Sequence, residues 1–247
     1  EVQHQNITLF LVAGLFRKHQ IFFKPWGKRY QKLLRGFTHL FVQNEASLAL
    51  LQKIDIKQAS VSGDTRFDRV GTPKAPLAFM ESFFGGRNCI IAGSTWPEDE
   101  AVLLDAIAQT PTDWCWLIAP HEMHEDKLEQ LMQKLPQGSM RYTQNEATKL
   151  GKCPVLVLDT VGMLSQCYPY GHMAYVGGAM GTSGLHNILE PAAEGIPIVI
   201  GKNYHKFPEA KALIALGGVT SISTAKECAQ QLLGFMQNEA LRQEKGN

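Results

Sequence analysis

The stretch Met173-Ala174-Tyr175-Val176-Gly177-Gly178-Ala179-Met180-Gly181-Thr182-Ser183-Gly184-Leu185-His186-Asn187-Ile188-Leu189-Glu190-Pro191 runs from an apolar strand through glycines into a helix start. Glycines at 177, 178, 181 and 184 allow the backbone to approach a ligand closely. A helix beginning near His186 would offer free N–H groups and the positive end of its dipole to a phosphate. Asn187 and Glu190 are three apart, which places both on one side of a first helical turn. A carboxylate there can take both hydroxyls of a ribose. The order of glycines is not the dinucleotide fingerprint G-x-G-x-x-G, which disfavours nicotinamide or flavin. The plainer alternative is a loop capped by Asn187, with Glu190 as a partner of the helix dipole.

The same alternation extends on both sides of this stretch. Short apolar runs occur at 89–92, 114–119, 155–158, 173–176, 196–200 and 219–222. Between them the pattern predicts helices over 98–109, 122–134, 163–167, 187–194, 208–216 and 225–237. Continuous apolar strands alternating with helices predict an α/β fold, a parallel sheet covered on both faces. Right-handed crossovers make it a doubly wound, Rossmann-like sheet, with ligands at the carboxyl ends of the strands.

The other strand ends supply further candidates. Ser94 and Thr95 precede a helix opening at Pro97-Glu98-Asp99-Glu100, where small hydroxyl residues suit either an anion or a simple cap. Pro120 and His121 follow the second run, and His121 is placed to donate to a phosphate or carboxylate. His121 and His124 share a spacing that suits a metal on a helix, but no third ligand accompanies them. Asp159 ahead of Gly162 and Met163 reads as a helix cap or a ribose holder. Lys202 and Lys206 follow the fifth run, as contacts to an anionic donor or as ordinary surface lysines.

The preceding part of the chain differs. No Asp or Glu lies between Val2 and Asn44, whereas Arg17, Lys18, Lys24, Lys28, Arg29, Lys32 and Arg35 do, among Phe22, Phe23, Trp26 and Tyr30. Such a surface suits anionic lipid headgroups or phosphates; the alternative is a helix with a solvated basic face. Strands are expected near 7–12, 38–42 and 59–62, with a helix over 46–53. Gly71-Thr72-Pro73-Lys74-Ala75-Pro76 reads as a linker, dividing the chain into 1–70 and 71–247. The chain opens on Glu1 and enters the strand-like run at once, so it is expected to begin part-way through a domain.

Composition narrows the classes. The 247 residues are 45% hydrophobic and 19% charged, with 24 Lys+Arg against 23 Asp+Glu, which excludes disorder and gives no general attraction for nucleic acid. Cys89, Cys115, Cys153, Cys167 and Cys228 form no C-x-x-C pair and read as reduced, buried thiols of a cytoplasmic protein. No apolar run approaches the roughly 18 to 20 residues of a membrane helix.

Several motifs together resemble one family. Gly177-Gly178, then Gly184-Leu185-His186-Asn187-Ile188-Leu189-Glu190-Pro191-Ala192-Ala193, then Gly195-Ile196-Pro197-Ile198-Val199-Ile200-Gly201 is similar to the donor-site signature of 3-deoxy-D-manno-octulosonic acid (Kdo) transferases. Gln43-Asn44-Glu45 and Val61-Ser62-Gly63-Asp64-Thr65-Arg66-Phe67-Asp68 match the same family upstream, and the run 16–30 resembles its arginine-bearing stretch in a Bacteroidetes-like form. The resemblance implies a GT-B glycosyltransferase of two Rossmann-like domains. It further implies inverting, metal-independent transfer of Kdo from CMP-Kdo to the lipid A precursor, without a cofactor, at the cytoplasmic face of the inner membrane. On this basis Gly178, Asn187 and Glu190 fall on the nucleotide motif. Ser94, Pro120, His121, Gly162 and Met163 fall on junctions lining the CMP pocket, with Thr95 beside them. Arg17 falls near the cleft, and with Lys18, Lys24, Lys28 and Arg29 it forms the acceptor-side or membrane-facing surface.

The family's proposed Glu base and membrane-facing helix lie upstream of the matched segment, so no catalytic base is assigned here. A chain truncated in this way is expected to be inactive by itself. Val161-Gly162-Met163-Leu164 also stands where the family often has M-G-E-L, which removes a contact made by that Glu. Two other readings share the residues: a UDP-sugar transferase or epimerase of the same fold, and a non-catalytic module that docks on anionic membranes.

Overall fold

The computed structural model describes residues 7–65, 67, 76–144 and 146–246. The chain divides into two units, Glu1–Arg69 and Val70–Asn247. Of the sequence features named above, Arg66, Asp68 and residues 71–75 of the linker lie outside the described residues.

The first unit is a parallel sheet of β1 (Phe10–Gly14), β2 (His39–Val42) and β3 (Ala59–Val61), in that order. The first strand thus begins three residues later than its apolar run. Helices α1 (Lys28–Arg35) and α2 (Glu45–Gln52) accompany it. Asn44 caps α2 by accepting from the Ser47 amide, and the buried Ser47 hydroxyl in turn accepts from the Phe16 amide at 3.0 Å. Phe16, Leu34, Leu40, Val42, Leu51 and Ile56 form the core.

The second unit carries seven parallel strands. They are β4 (Asn88–Thr95), β5 (Trp114–Pro120), β6 (Met140–Arg141), β7 (Val155–Val157), β8 (Met173–Val176), β9 (Ile198–Gly201) and β10 (Val219–Ile222). Their order is β10-β9-β8-β4-β5-β7-β6. The chain therefore enters at the centre, builds outward through β5 and β7, then returns past β4 to build the other half. Every residue of β5, β7, β8 and β9 is buried, as a sheet covered on both faces requires. Alternate residues of β4 divide between the two layers. Ile90 and Ala92 join Leu103 and Ala106 of α4 (Pro97–Ala108) and Leu232 and Phe235 of α9 (Ala225–Gln237). Cys89 and Ile91 join Met80 and Phe83 of α3 (Ala78–Phe84) on the opposite face. All five cysteines are free and buried.

Two helices are shorter than the pattern predicts. The helix after β5 is α5 (Glu125–Met132): His124 is extended at its N-cap, and Glu125 and Asp126 occupy the first turn that the dipole favours. The helix after the glycines is α7 (Leu189–Ala193). Pro191 lacks the N–H that a helix starting at 187 would need for its first bond, so the helix starts later. The edge strand β6 was not foreseen, since two residues carry no readable period.

Leu103 lies fully buried between α4 and the sheet. Leu103→Ala is expected to cost about 2 to 5 kcal/mol, read as a lower denaturant midpoint with an unchanged slope.

Candidate functional site

Strand β4 sits between β5 and β8, and the connections from its two neighbours run in opposite directions. Ligand-binding crevices form at such a point, outside the carboxyl ends of the strands. Here the penultimate residue of β4, Ser94, is a non-glycine residue at φ 52°, and β8 runs directly into Gly177. A Cβ on Gly177 would collide with the Ser94 carbonyl, one on Gly178 with the Gly184 carbonyl, and one on Gly201 with the Met180 amide. Gly178 also holds φ 92°. These three glycines are thus demanded by the loop's contact with its own chain.

A buried carboxylate holds that loop. Asp99, in the first turn of α4, is 0% exposed. It accepts from the Tyr175 hydroxyl at 2.8 Å, the Gly178 amide at 2.7 Å, the Trp96 amide at 3.0 Å and the Met180 amide at 3.4 Å. Burial first, and then the Asp99 charge, push the Tyr175 phenol well above its ordinary range, so it stays a donor. From the other side Asn203 donates through Nδ2 to the Met180 and Gly181 carbonyls at 3.2 and 2.7 Å.

Three rings stand at the mouth of this arrangement. The Trp96 indole stacks on His121 at 4.6 Å between centroids and 24° between planes. His121 lies 4.5 Å from His186, and Trp96 Nε1 donates to His186 Nε2 at 3.1 Å. Burial first, then the neighbouring His121, lower the His186 imidazole from its ordinary value, with Asp99 opposing them.

Of the sequence-predicted donor residues, Ser94, Pro120, His121 and Gly178 lie at these strand ends. Ser94 is the penultimate residue of β4, Pro120 ends β5, His121 follows it exposed, and Gly178 lies in the loop. Asn187 and Glu190 stay together although the helix starts after Asn187: Asn187 Nδ2 donates to Glu190 Oε1 at 3.0 Å, and its Oδ1 accepts from the Leu189 amide at 3.1 Å. Gly162 is exposed at φ 88°, and Met163 is half-buried next to it, its sulfur accepting from the Thr160 hydroxyl.

Other expectations are corrected. Thr95 is 1% exposed and donates to Glu100 at 3.2 Å, so its hydroxyl turns into the protein rather than toward a ligand. Asp159 neither caps a helix nor faces a ribose. It accepts from Arg141 Nε at 2.9 Å and the Thr143 amide at 2.9 Å, fastening the β6 edge. Burial alone would raise the Asp159 carboxyl, but the Thr143 and Arg141 hydrogen bonds outweigh it and hold it low. His124 stands at the N-cap position of α5, ahead of the helix, and so does not share a helix face with His121. Among the described residues no three His, Cys, Asp or Glu side chains are grouped as metal ligands.

Sequence reasoning missed Asp99, Trp96 and Asn203. A signal for Asp99 was present: it shares the spacing of Val102, Leu103 and Ala106, so it is an acid on the apolar face of its helix. In the first unit Arg17, Lys18, Lys28 and Arg29 are exposed and Lys24 is half-buried, beside Trp26 at 70% and Leu33 at 64% exposure. An apolar groove of about 660 Å³ lined by Leu11, Phe16, Phe22, Leu33, Leu34 and Phe37 lies in the same unit.

No family model matches the chain. The 3-deoxy-D-manno-octulosonic acid transferase of Bordetella pertussis is 26% identical over 250 residues, 97% of this chain and 58% of the relative. The chain is similar to the 3-deoxy-D-manno-octulosonic acid transferases. The Haemophilus influenzae Kdo transferase is 28% identical over 163 residues, 64% of this chain and 38% of the relative. The chain spans about half the length of the Kdo transferases it matches, between 41% and 58% for those of Bordetella pertussis and two Rickettsia species. The solved C-terminal CMP-Kdo binding domain of WaaA from Acinetobacter baumannii superposes with a TM-score of 0.60 at 22% identity, covering 68% of this chain and 94% of that domain. The S. aureus MnaA–UDP co-structure gives a TM-score of 0.62 at 12% identity, over 99% of this chain and 65% of that one. The fold is of the GT-B type. No helix among the described residues is long and apolar enough to cross a membrane.

Replacing Asp99 by Ala strands the Tyr175 hydroxyl and the buried Gly178 amide, each costing about 1 to 3 kcal/mol, and frees the half-buried Trp96 and Met180 amides as well. The expected destabilisation of Asp99→Ala is therefore about 3 kcal/mol or more, measured by chemical denaturation. A loss below about 1 kcal/mol would show that the carboxylate does not hold the loop.

Proposed function

We propose that this chain is the nucleotide-sugar-binding part of an enzyme that transfers Kdo from CMP-Kdo to the lipid A precursor in lipopolysaccharide biosynthesis. The observation that carries the reading is the collinear relationship to Kdo transferases over 97% of the chain. The glycine loop and the Asn187–Glu190 pair standing at the sheet's switch point support it.

In this reading Glu190, steadied by Asn187, takes the ribose hydroxyls. Ser94, His121 and the amides of residues 181–183 face the phosphate, while Pro120, Gly162 and Met163 border the base. In the inverting transfer the anomeric C–O bond breaks and CMP leaves with its electron pair. The acceptor oxygen forms the new bond on the opposite face, and its proton passes to a base not assigned within this chain. The loop's task is to stabilise the negative charge that gathers on the departing phosphate. No metal or cofactor takes part in this scheme.

The acceptor side falls to the first unit. Arg17, Lys18, Lys24, Lys28 and Arg29 suit phosphates of an anionic lipid, and the apolar groove suits its acyl portion. The same surface fits attachment to the cytoplasmic face of the inner membrane. Lys28 and Arg29 support this, because positive charge in a helix's first turn opposes the dipole and gains when an anion arrives.

Calorimetric titration with CMP and UMP tests the donor reading. CMP is expected to bind in preference to UMP, and Glu190→Ala to weaken it about 10- to 100-fold by removing hydrogen bonds to a charged group. A preference for UMP would instead favour a UDP-sugar transferase or epimerase, and unchanged affinity in the variant would remove Glu190 from the site. For the acceptor surface, co-sedimentation with vesicles containing anionic lipid is expected to fall with salt. Each of Lys28→Glu and Arg29→Glu should remove about 1 kcal/mol of binding or more. Binding indifferent to both would sink the membrane role.

A further inference from the structure

The three rings at the site mouth are not alike in their hydrogen-bonding options. An indole N–H is a donor only. Because Trp96 Nε1 donates to His186 Nε2, that nitrogen must be the unprotonated one, and the proton of the neutral imidazole sits on Nδ1. Protonating Nε2 as well would set two donors against each other, so the contact excludes the charged form.

The orientation of the ring fixes where the remaining proton points. The His186 amide donates to the Gly177 carbonyl at 3.1 Å, and the ring's Cδ2 edge lies against Gly178, so Nε2 and Cδ2 face inward. Among the described residues Nδ1 has no hydrogen-bond partner. No buried side-chain nitrogen or oxygen lacks a partner among them, so Nδ1 of the half-buried His186 reaches solvent. An outward N–H donor thus stands at the end of the glycine loop, on the carboxyl side of the sheet.

His121 completes the arrangement. It lies between the other two rings, stacked on the Trp96 face at a distance that suits a cation on an indole. Two adjacent imidazoles resist carrying charge together. The titratable groups acting on His186 are His121 from the end of β5 and Asp99 from α4.

We propose that Trp96 is a positioning residue that holds His186 in its neutral, Nδ1-protonated form. His186 Nδ1–H then donates to an oxyanion of the bound donor. This rests on the donor-binding reading above and deepens it, since it assigns the oxyanion contact and the residue that enforces it. The oxyanion is the nucleotide phosphate or the sugar carboxylate.

The tautomer is measured directly by nitrogen NMR on histidine-labelled protein, with His186→Gln to assign the signal. Expected is a protonated-type signal at Nδ1 and an unprotonated-type signal at Nε2 of His186. The reverse tautomer overturns the proposal without recourse to any variant of Trp96.

Trp96→Phe then removes the indole N–H while keeping a ring under His121. At pH 8 the variant is expected to bind CMP about 3- to 10-fold more weakly, the scale of one ordinary hydrogen bond, since the freed imidazole still samples the donating tautomer. At pH 6 the gap should narrow, because the released His186 takes up a proton and donates regardless. The phosphate's own titration affects both proteins equally and cancels in the ratio. An equal loss at both pH values would make Trp96 a packing residue and overturn the proposal.

Titrations with CMP, inorganic phosphate and the free sugar acid identify the anion's source by which of them moves the His186 Nδ1 signal. No movement with any of the three overturns the oxyanion role. Movement with phosphate but no saturable binding of CMP fails the nucleotide reading and leaves this one standing.

Discussion

One buried carboxylate sets the geometry on which the site depends. Asp99 accepts from the end of β8 through Tyr175, from the glycine loop through Gly178 and Met180, and from the start of its own helix through Trp96. Hydrogen bonds to a charged acceptor are about twice as strong as neutral ones. A charge placed away from water is tolerable only when its lone pairs are filled in this way. The carboxylate is therefore a joint: it ties the two strands that flank the switch point to the helix that follows the first of them.

The consequence is a loop that is shaped before any ligand arrives. Gly177 and Gly178 are pressed against the Ser94 and Gly184 carbonyls, and Asn203 holds the Met180 and Gly181 carbonyls from outside. Such a loop loses little freedom on binding, so its amides can serve a phosphate without the ordering cost that a mobile glycine segment carries. Flexibility of composition and rigidity of structure coexist because the glycines are used for contact within the chain.

The architecture was legible in the sequence because sheet and helix periods are local. Strand β8 and helices α8 (Pro208–Leu216) and α9 fall on the residues that the apolar pattern marks. So was the pairing of Asn187 with Glu190, because three residues of separation bring the two together whether or not a helix has begun. What escaped was decided by tertiary contact. Thr95 and Asp159 carry suitable chemistry at suitable strand ends, yet each is claimed by a protein partner, Glu100 in one case and Arg141 with Thr143 in the other. A sequence shows what a side chain can bind and is silent on which partner reaches it first. The start of α7 was misread for a different reason: the missing N–H of Pro191 outweighs the capping signal four residues earlier.

The division of labour between His121 and His186 follows from the same hierarchy of commitments. Identical side chains 4.5 Å apart would be interchangeable in water. They differ here because one of them already accepts from an indole fixed by the Asp99 cap, and that acceptor position is no longer open to a proton. The asymmetry begins at a buried acid, passes through the Trp96 backbone to its ring, and ends in which imidazole nitrogen faces the crevice. Removing the acid would therefore be expected to disturb imidazole chemistry at a residue it does not touch.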